Sequence, residues 1–395
     1  MIKKLCNNIV FVKGIKNSAI YNFNDKKVYS INEQGTNILV NYLEDGKVIG
    51  DVSKEFIEKI KELFSINDIL NLDYKFPSNI KKELNFVWLE VTKNCSCRCI
   101  HCYEGTNHKD CRNPLTLDEW RNVIDELALL KCGEVRFIGG EPTSYLRLPE
   151  LIHYAKEKKI PKISLFSNLY FGKREELINS IINNNVEIHF SIYASKEDIH
   201  DSITQSKGSF NRLINNLMIL KSSDVRLVAH VVAIKENQDE IDNIYYLLQN
   251  LGINNVKYDE YRKVYGICED SHIVTKSRIN NTKLNFKTSH LQFEYNSLVN
   301  TCWYGKCVIS SDGNVFPCEM ERNHLYGNVR TNTILEILNS NIVEKFWYFN
   351  FSKVKICNQC EFRFACRDCR PVAYAEHGDM SDKSPRCKYN PQIGL

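Results

Sequence analysis

The 395-residue sequence has no marked excess of either charge: 52 Lys and Arg stand against 48 Asp and Glu, a formal net of +4. Proteins that grip nucleic acid or anionic lipid concentrate basic residues, and no basic stripe is present. Also missing is any apolar run long enough to cross a bilayer, and Met1-Ile-Lys-Lys leads into no signal-peptide pattern. No internal repeat or low-complexity tract interrupts the chain. These absences make a cytoplasmic globular protein the expectation, with no nucleic-acid and no membrane partner. The 43% of hydrophobic residues suffices for ordinary cores. Two or three domains are expected, at roughly 100–200 residues each.

What the chain has in quantity is cysteine, sixteen in all. Cytosolic thiols stay reduced, so clustered cysteines there point to metal rather than to disulfides. Eight lie between Cys302 and Cys387. Four more (Cys95, Cys97, Cys99, Cys102) fall within eight residues, in "VTKNCSCRCIHCYEG". Cys6, Cys111, Cys132 and Cys268 stand apart.

Periodicity divides the chain into three textures. In residues 1–80, "AIYNF" and "KVYSI" alternate around Asn24-Asp25-Lys26-Lys27, which predicts a hairpin. "NEQGTNILVNYL" and "SKEFIEKIKELF" then carry helix-spaced apolar residues, the second with Phe56, Ile60, Leu63 and Phe64. "DYKFPSNI" reads as a linker. From about residue 84, strand and helix alternate: "NFVWLEV", "EVRFIG", "KISLFS", "VEIHFSIY", "VRLVAHVVAI" and "NVKYDEY" are the predicted strands. Between the first two lies "TLDEWRNVIDELALLK", with a capping box at Thr116 and Glu119 and one apolar face. Such alternation implies a parallel sheet with crossover helices, and six units are fewer than the eight of a closed barrel. The expected fold is α/β, a partial (β/α)6 TIM-like barrel. Beyond residue 300 periodicity fades, and "CVISSDGNVFPC" predicts a hairpin around Asp312-Gly313.

Cys95, Cys99 and Cys102 have C-x3-C-x2-C spacing directly after the first barrel strand, where such folds place their chemistry. Three thiolates can hold three irons of a four-iron cluster and leave the fourth open. Zinc knuckles or scattered structural thiols would use the same residue types. "GGEP", Gly139 to Pro142, directly follows the second strand. Together the triplet and this motif resemble the radical S-adenosylmethionine (SAM) superfamily. The resemblance implies that the open iron binds the methionyl amine and carboxylate of SAM. One electron then yields a 5′-deoxyadenosyl radical that takes hydrogen from a substrate. It also implies that Glu141 receives the SAM ammonium while Gly139 and Gly140 permit close backbone approach. Ser167 and Asn168, ending the third strand, match a polar pair that faces SAM, and Ser191, ending the fourth, matches a serine near it. Cys97 and Cys111 fall out of register and read as spectators.

The later cysteines run C302-x4-C307-x10-C318, then C357-x2-C360-x5-C366-x2-C369, then Cys387. With the "ISSDGNVFPC" hairpin they resemble the SPASM extension of radical SAM enzymes that modify ribosomal peptides and proteins. That resemblance implies two auxiliary four-iron clusters without an open iron. Cys302, Cys307, Cys318 and Cys369 would hold one; Cys357, Cys360, Cys366 and Cys387 would hold the other. Relatives have three residues between the cysteines matching Cys366 and Cys369, and this chain has two. Glu319, next to Cys318, matches the acidic proton acceptor of the anaerobic sulfatase maturases.

Residues 1–80 resemble the PqqD-like recognition element, a winged-helix-like module to whose sheet edge a leader peptide adds as a strand. The start of the chain, with "CEFRFACRDCRPVAYAEHGD", is most similar to peptide maturases of grasp-with-spasm clusters. The expected divisions are a recognition module over 1–80, a radical SAM core over 84–290 and a SPASM domain over 298–395. The expected function is hydrogen abstraction from a ribosomally made precursor peptide, giving a thioether, another crosslink or an epimer. Its partners would be that peptide, a flavodoxin or ferredoxin, and an ATP-grasp enzyme. A sulfatase-maturase-like activity and a zinc-binding adaptor are the alternatives.

Overall fold

The structure is a computed structural model that describes residues 1–105, 113–172, 174–264, 270–279 and 286–394. Cys111 and Cys268 lie outside the described residues. The chain divides into two units that do not follow the sequence divisions. One joins Met1–Lys81 to Asn280–Tyr304 and Trp347–Leu395, and the other joins Lys82–Ile279 to Gly305–Phe346. The cysteine-rich third is therefore shared between them. No helix among the described residues is long and apolar enough to cross a membrane.

In the first unit β1 (Ile2–Cys6), β2 (Ile9–Lys13), β3 (Ser18–Asn22) and β4 (Lys27–Ile31) form an antiparallel meander. The short β5 (Leu72–Asp73) is added beside β1, so the order is β4-β3-β2-β1-β5. Between β4 and β5 come α1 (Glu33–Asp45) and α2 (Asp51–Phe64). The predicted hairpin is β3–β4, with Asn22 opposite Lys27. Alternate residues of a strand face opposite ways, and both faces of this sheet are apolar. Leu5, Ile9, Phe11 and Ile20 pack on Leu39, Leu43, Ile57 and Ile60 of the helices. Val10, Val12, Ala19 and Tyr21 pack on Phe293, Phe362, Phe364 and Ala365 instead. A sheet buried on both sides is part of a larger core, not a detachable module.

Two expectations change here. Leu63 is 61% exposed, and α2 buries Ile57, Ile60 and Phe64. "DYKFPSNI" is not a bare linker. Its Tyr74 and Phe76 rings meet Phe293 at 5.3 and 5.5 Å, and the Tyr74 hydroxyl donates to Glu294. Burying two aromatic rings outweighs the turn tendency of the Pro77 that follows.

All six predicted barrel strands form in the second unit: β6 (Phe86–Thr92), β7 (Glu134–Gly139), β8 (Lys162–Ser167), β9 (Glu187–Ser191), β10 (Leu227–Ala233) and β11 (Val256–Glu260). They are parallel and adjacent in chain order. Consecutive order without a reversal is that of a partial barrel; doubly wound sheets reverse at a switch point. The crossovers are α3 (Leu117–Leu129), α4 (Leu148–Glu157), α5 (Glu175–Asn183), the pair α6 (Glu197–Thr204) and α7 (Ser209–Ser222), and α8 (Ile241–Asn250). The capping box of α3 is present in both directions. The predicted hairpin is β12 (Lys306–Ile309) with β13 (Asn314–Phe316), and β14 (Gly327–Asn328) follows. β12 runs parallel beside β6, so this hairpin extends the barrel sheet.

One feature inside the barrel strands escapes an apolar-pattern analysis. Arg136, Ser164, His189 and His230 occupy alternate positions on successive strands and are hydrogen-bonded in a row. Arg136 Nε donates to Ser164 Oγ at 2.9 Å, Arg136 Nη2 lies 3.1 Å from His189 Nε2, and His189 Nδ1 lies 2.8 Å from His230 Nε2. Burial holds both imidazoles well below their ordinary range, at about 4 and about 3, so the row stays neutral at His189 and His230.

Candidate active site

The cysteine loop leaves β6 at its C-terminal end and is pinned by backbone bonds to the end of α6. Arg98 N donates to Thr204 O at 2.9 Å and Ile100 N to Ile203 O at 3.0 Å. The Arg98 guanidinium caps the Cys95 and Cys97 carbonyls. Cys95, Cys99 and Cys102 are half-buried, whereas Cys97 is 1% exposed. Cys97 is nevertheless no distant spectator. Its thiol shares hydrogen bonds with those of Cys95 and Cys99; the first lowers its pKa, and the second together with burial outweighs it and pushes the thiol up to about 12. Asn168 Nδ2 donates to its Sγ at 3.4 Å.

"GGEP" reaches back to this loop. Gly140 N donates to Thr92 O at 2.9 Å, and Glu141 N donates to Asn94 O at 2.7 Å. A Cβ on Gly139 would stand 2.3 Å from Thr92 O, and one on Gly140 2.3 Å from Lys93 O and 2.7 Å from Asn94 O. The glycines are thus required by the chain's own backbone at the exit of β6. Gly140→Ala is expected to displace residues 92–94 and the thiols that follow. The result should be a loss of about four irons per chain and a fall in SAM cleavage of about 100-fold or more. Iron analysis and 5′-deoxyadenosine yield check both.

The Glu141 carboxylate is 2% exposed. Its Oε1 accepts from Ser167 Oγ (2.7 Å), Thr143 Oγ1 (2.7 Å) and Thr143 N (3.1 Å), while among the described residues Oε2 accepts from Asn168 N alone (2.7 Å). Burial raises its pKa and these donors oppose the rise. Oε2 keeps lone-pair capacity for one more donor. Ser167 and Asn168 therefore hold the glutamate and the thiols in one assembly. Ser191 is 9% exposed and hydrogen-bonds Tyr193, whose buried hydroxyl is within electrostatic reach of Cys97, Cys99 and Cys102. The Tyr193 ring meets His101 edge-on at 4.6 Å. Thr143, Tyr193 and His101 were not singled out from the sequence, though each lies within two residues of a motif that was.

The other thiols fall into separate groups. In the first unit Cys357, Cys360, Cys366 and Cys387 act electrostatically on one another, which places all four together. Ile356, just before Cys357, has φ +67°, a strained conformation for a β-branched residue, and Cys357 N closes the turn onto Lys355 O at 2.7 Å. Cys369, in the same unit, caps the helix Arg370–His377, and Cys302 is exposed. In the second unit Cys307 and Cys318 are buried beside Tyr326.

The radical SAM superfamily profile matches residues 89–248, and the SPASM iron–sulfur cluster-binding profile matches residues 302–361. The chain carries a radical SAM domain and a SPASM domain. An AdoMet-dependent heme synthase of Methanosarcina barkeri is 25% identical over 337 residues, covering 76% of this chain and 95% of that one. A PqqA peptide cyclase of Bradyrhizobium diazoefficiens is 24% identical over 338 residues, covering 77% and 86%. The crystal structure of Streptococcus suis SuiB bound to precursor peptide SuiA has a TM-score of 0.62 at 16% identity, covering 98% of this chain and 100% of that one.

The thiols of this radical SAM/SPASM enzyme fit the groups its domains bind. Three half-buried thiols on an irregular loop, beside a carboxylate with spare acceptor capacity, suit a cluster with one open iron and an amino-acid ligand. The raised thiol pKa values do not oppose this, because a bound metal deprotonates its thiol ligands. The four gathered thiols of the first unit suit a cluster closed by cysteine. Iron–sulfur binding sets aside the zinc-adaptor alternative.

Glu319 carries a carboxyl whose Oε2 is buried without a partner among the described residues. Burial raises its pKa. Close to it electrostatically are Tyr103 and Arg322, and Arg322 Nη2 in turn donates to Glu90 Oε2 at 2.7 Å and Glu104 Oε1 at 3.2 Å. Glu90 and Arg322 had no signal beyond being charged residues in a strand and a turn.

Proposed function

We propose that this radical SAM/SPASM enzyme modifies a ribosomally made precursor peptide by hydrogen abstraction, with a crosslink or an epimer as product. Cys95, Cys99 and Cys102 would hold the SAM-binding cluster, and Glu141 Oε2 would receive the SAM ammonium. Bound there and reduced by one electron, SAM supplies a 5′-deoxyadenosyl radical. Gly139 and Gly140 keep the glutamate against the cysteine loop, Ser167 and Asn168 fix its carboxylate, and Ser191 orients Tyr193 beside the thiols. Glu319 would accept the substrate proton. A crosslink is a net two-electron oxidation of the peptide, and the two auxiliary clusters that the remaining cysteines would hold would take up its second electron; an epimer needs no such exit. The reductant would be a flavodoxin or ferredoxin, and the grasp-with-spasm likeness adds an ATP-grasp partner.

The observation that carries the peptide substrate is the N-terminal meander. The heme synthase match accounts for nearly all of that protein but leaves about a quarter of this chain unmatched, whereas the SuiB likeness extends over almost all of it. β4 is a terminal strand of its sheet. At its start the outer edge of β4 is engaged: Lys27 is bridged to Lys287, Val28 N donates to Phe286 O at 3.3 Å, and Thr288 N donates to Lys26 O at 3.0 Å. Beyond these bonds Ser30, whose backbone groups share the outward direction of Val28, leaves an edge to which an extended leader can add, as in recognition elements of the PqqD type. Co-expression with a short peptide encoded beside the gene should give either a crosslinked product lacking two hydrogens or an epimer of unchanged mass that carries one deuterium when made in D2O, with 5′-deoxyadenosine formed alongside. No change in any such peptide, with turnover of a cysteine-containing sulfatase motif, would move the assignment to sulfatase maturation.

A further inference from the structure

In the second unit, three carboxylates share one guanidinium. Glu90, on β6, is 1% exposed. Arg322 Nη2 serves both Glu90 and Glu104, and its guanidinium lies 5.3 Å from the centre of the Phe316 ring. Two carboxylate oxygens, Glu90 Oε1 and Glu319 Oε2, are buried with no partner among the described residues. The other cations that act on these groups have further partners as well. Lys93 also acts on Asp312, Arg262 is paired with Asp259, and Arg136 is held by Glu134 and Ser164. Among the described residues the cluster is left short of donors at Glu90 Oε1 and Glu319 Oε2.

A buried acceptor without a donor costs about 1–3 kcal/mol, and more when it is charged. Folded chains keep few such atoms, so each one asks what completes it. The position supplies the answer's location. Glu90 precedes Cys95 at the same end of β6, and Tyr103 lies within electrostatic reach of Cys102, Glu104, Glu319 and Arg322.

We infer that Glu90 anchors an acidic subsite in the barrel, which receives a protonated amine or guanidinium side chain of the substrate. Arg322 holds the far oxygen of Glu90 and so aims the free one. Glu319, within electrostatic reach of the same Arg322, keeps its place as proton acceptor. Resting on the peptide assignment above, the subsite selects a lysine or arginine next to the modified position.

The test is calorimetric titration of the anaerobic SAM-loaded holoenzyme with acetyl-Gly-Lys-Gly-amide and with its norleucine analogue, then with n-butylammonium and n-butanol. The lysine peptide should bind at least about tenfold tighter than the norleucine peptide, the worth of one charge-assisted hydrogen bond. Glu90→Gln should reduce that ratio below about twofold, and Glu90→Asp should restore part of it. The wild-type ratio stands even if a variant does not fold. Equal binding of the two peptides overturns the subsite and leaves the peptide assignment intact. A preference for butylammonium over butanol, lost in Glu90→Gln, with no binding of either leaderless peptide upholds the subsite, and the co-expression experiment above then decides the peptide assignment separately. No preference for charge in either pair, or one that survives Glu90→Gln, overturns the subsite.

Discussion

Alanine at Cys95, Cys99 or Cys102 is expected to reduce SAM cleavage to background, while alanine at Cys97 leaves it within about twofold. Three thiolates are the minimum that retains a four-iron cluster with an open corner, and among the described residues the loop has no surplus half-buried thiol to substitute. Cys97 differs physically: it is 1% exposed, and its thiol is held by Asn168 on the inner side of the loop. Each of the three variants should lose about four of about twelve irons per chain, the share of one cluster in three. Iron content and 5′-deoxyadenosine after dithionite and SAM are the measurements. A Cys97→Ala protein that loses the cluster, with a Cys99→Ala protein that keeps it, would reverse the ligand assignment.

Removing residues 1–80 is expected to abolish recovery of soluble, fully loaded protein. The cut strips Val10, Val12, Ala19 and Tyr21 from Phe293, Phe362, Phe364 and Ala365. Each large side chain returned to water costs about 1.5–3 kcal/mol, so the sum approaches the whole stability of a typical domain. Cys360 packs against the same cluster of side chains, so the loss reaches one of the four gathered thiols. Centrifugation of the expressed protein, iron analysis and dye binding to exposed apolar surface check this. A truncated protein that is monomeric and carries about twelve irons would show that the meander is separable after all.

Much of the barrel was legible because local rules and global fold agree there. The six strands are β-rich runs bounded by turn residues, and α3 announces itself with a capping box that the structure reproduces. The candidate site was legible where spacing is dictated by chemistry, as in C-x3-C-x2-C, or where a motif must abut a strand end, as in Gly139 to Pro142. It was not legible at Glu90, Arg322, Thr143 or Tyr193. Their significance comes from which partner lies opposite, and 232 residues separate Arg322 from Glu90. Leu63 and the segment around Phe76 went the other way, because periodicity assigns a face without knowing what stands across from it.

By itself the sequence determined the chemistry: a chain without excess charge or long apolar runs, with thiols spaced for clusters and a glutamate after two glycines. Tertiary structure alone decided how the pieces are divided. It joined the N-terminal meander to four cysteines near the other end of the chain and gave a cysteine-rich hairpin to the barrel sheet. It also left the buried Glu90 Oε1 and Glu319 Oε2 without donors among the described residues. The physical reason is that ligand spacing is a local, covalent constraint, whereas burial on both faces of a sheet depends on segments hundreds of residues away.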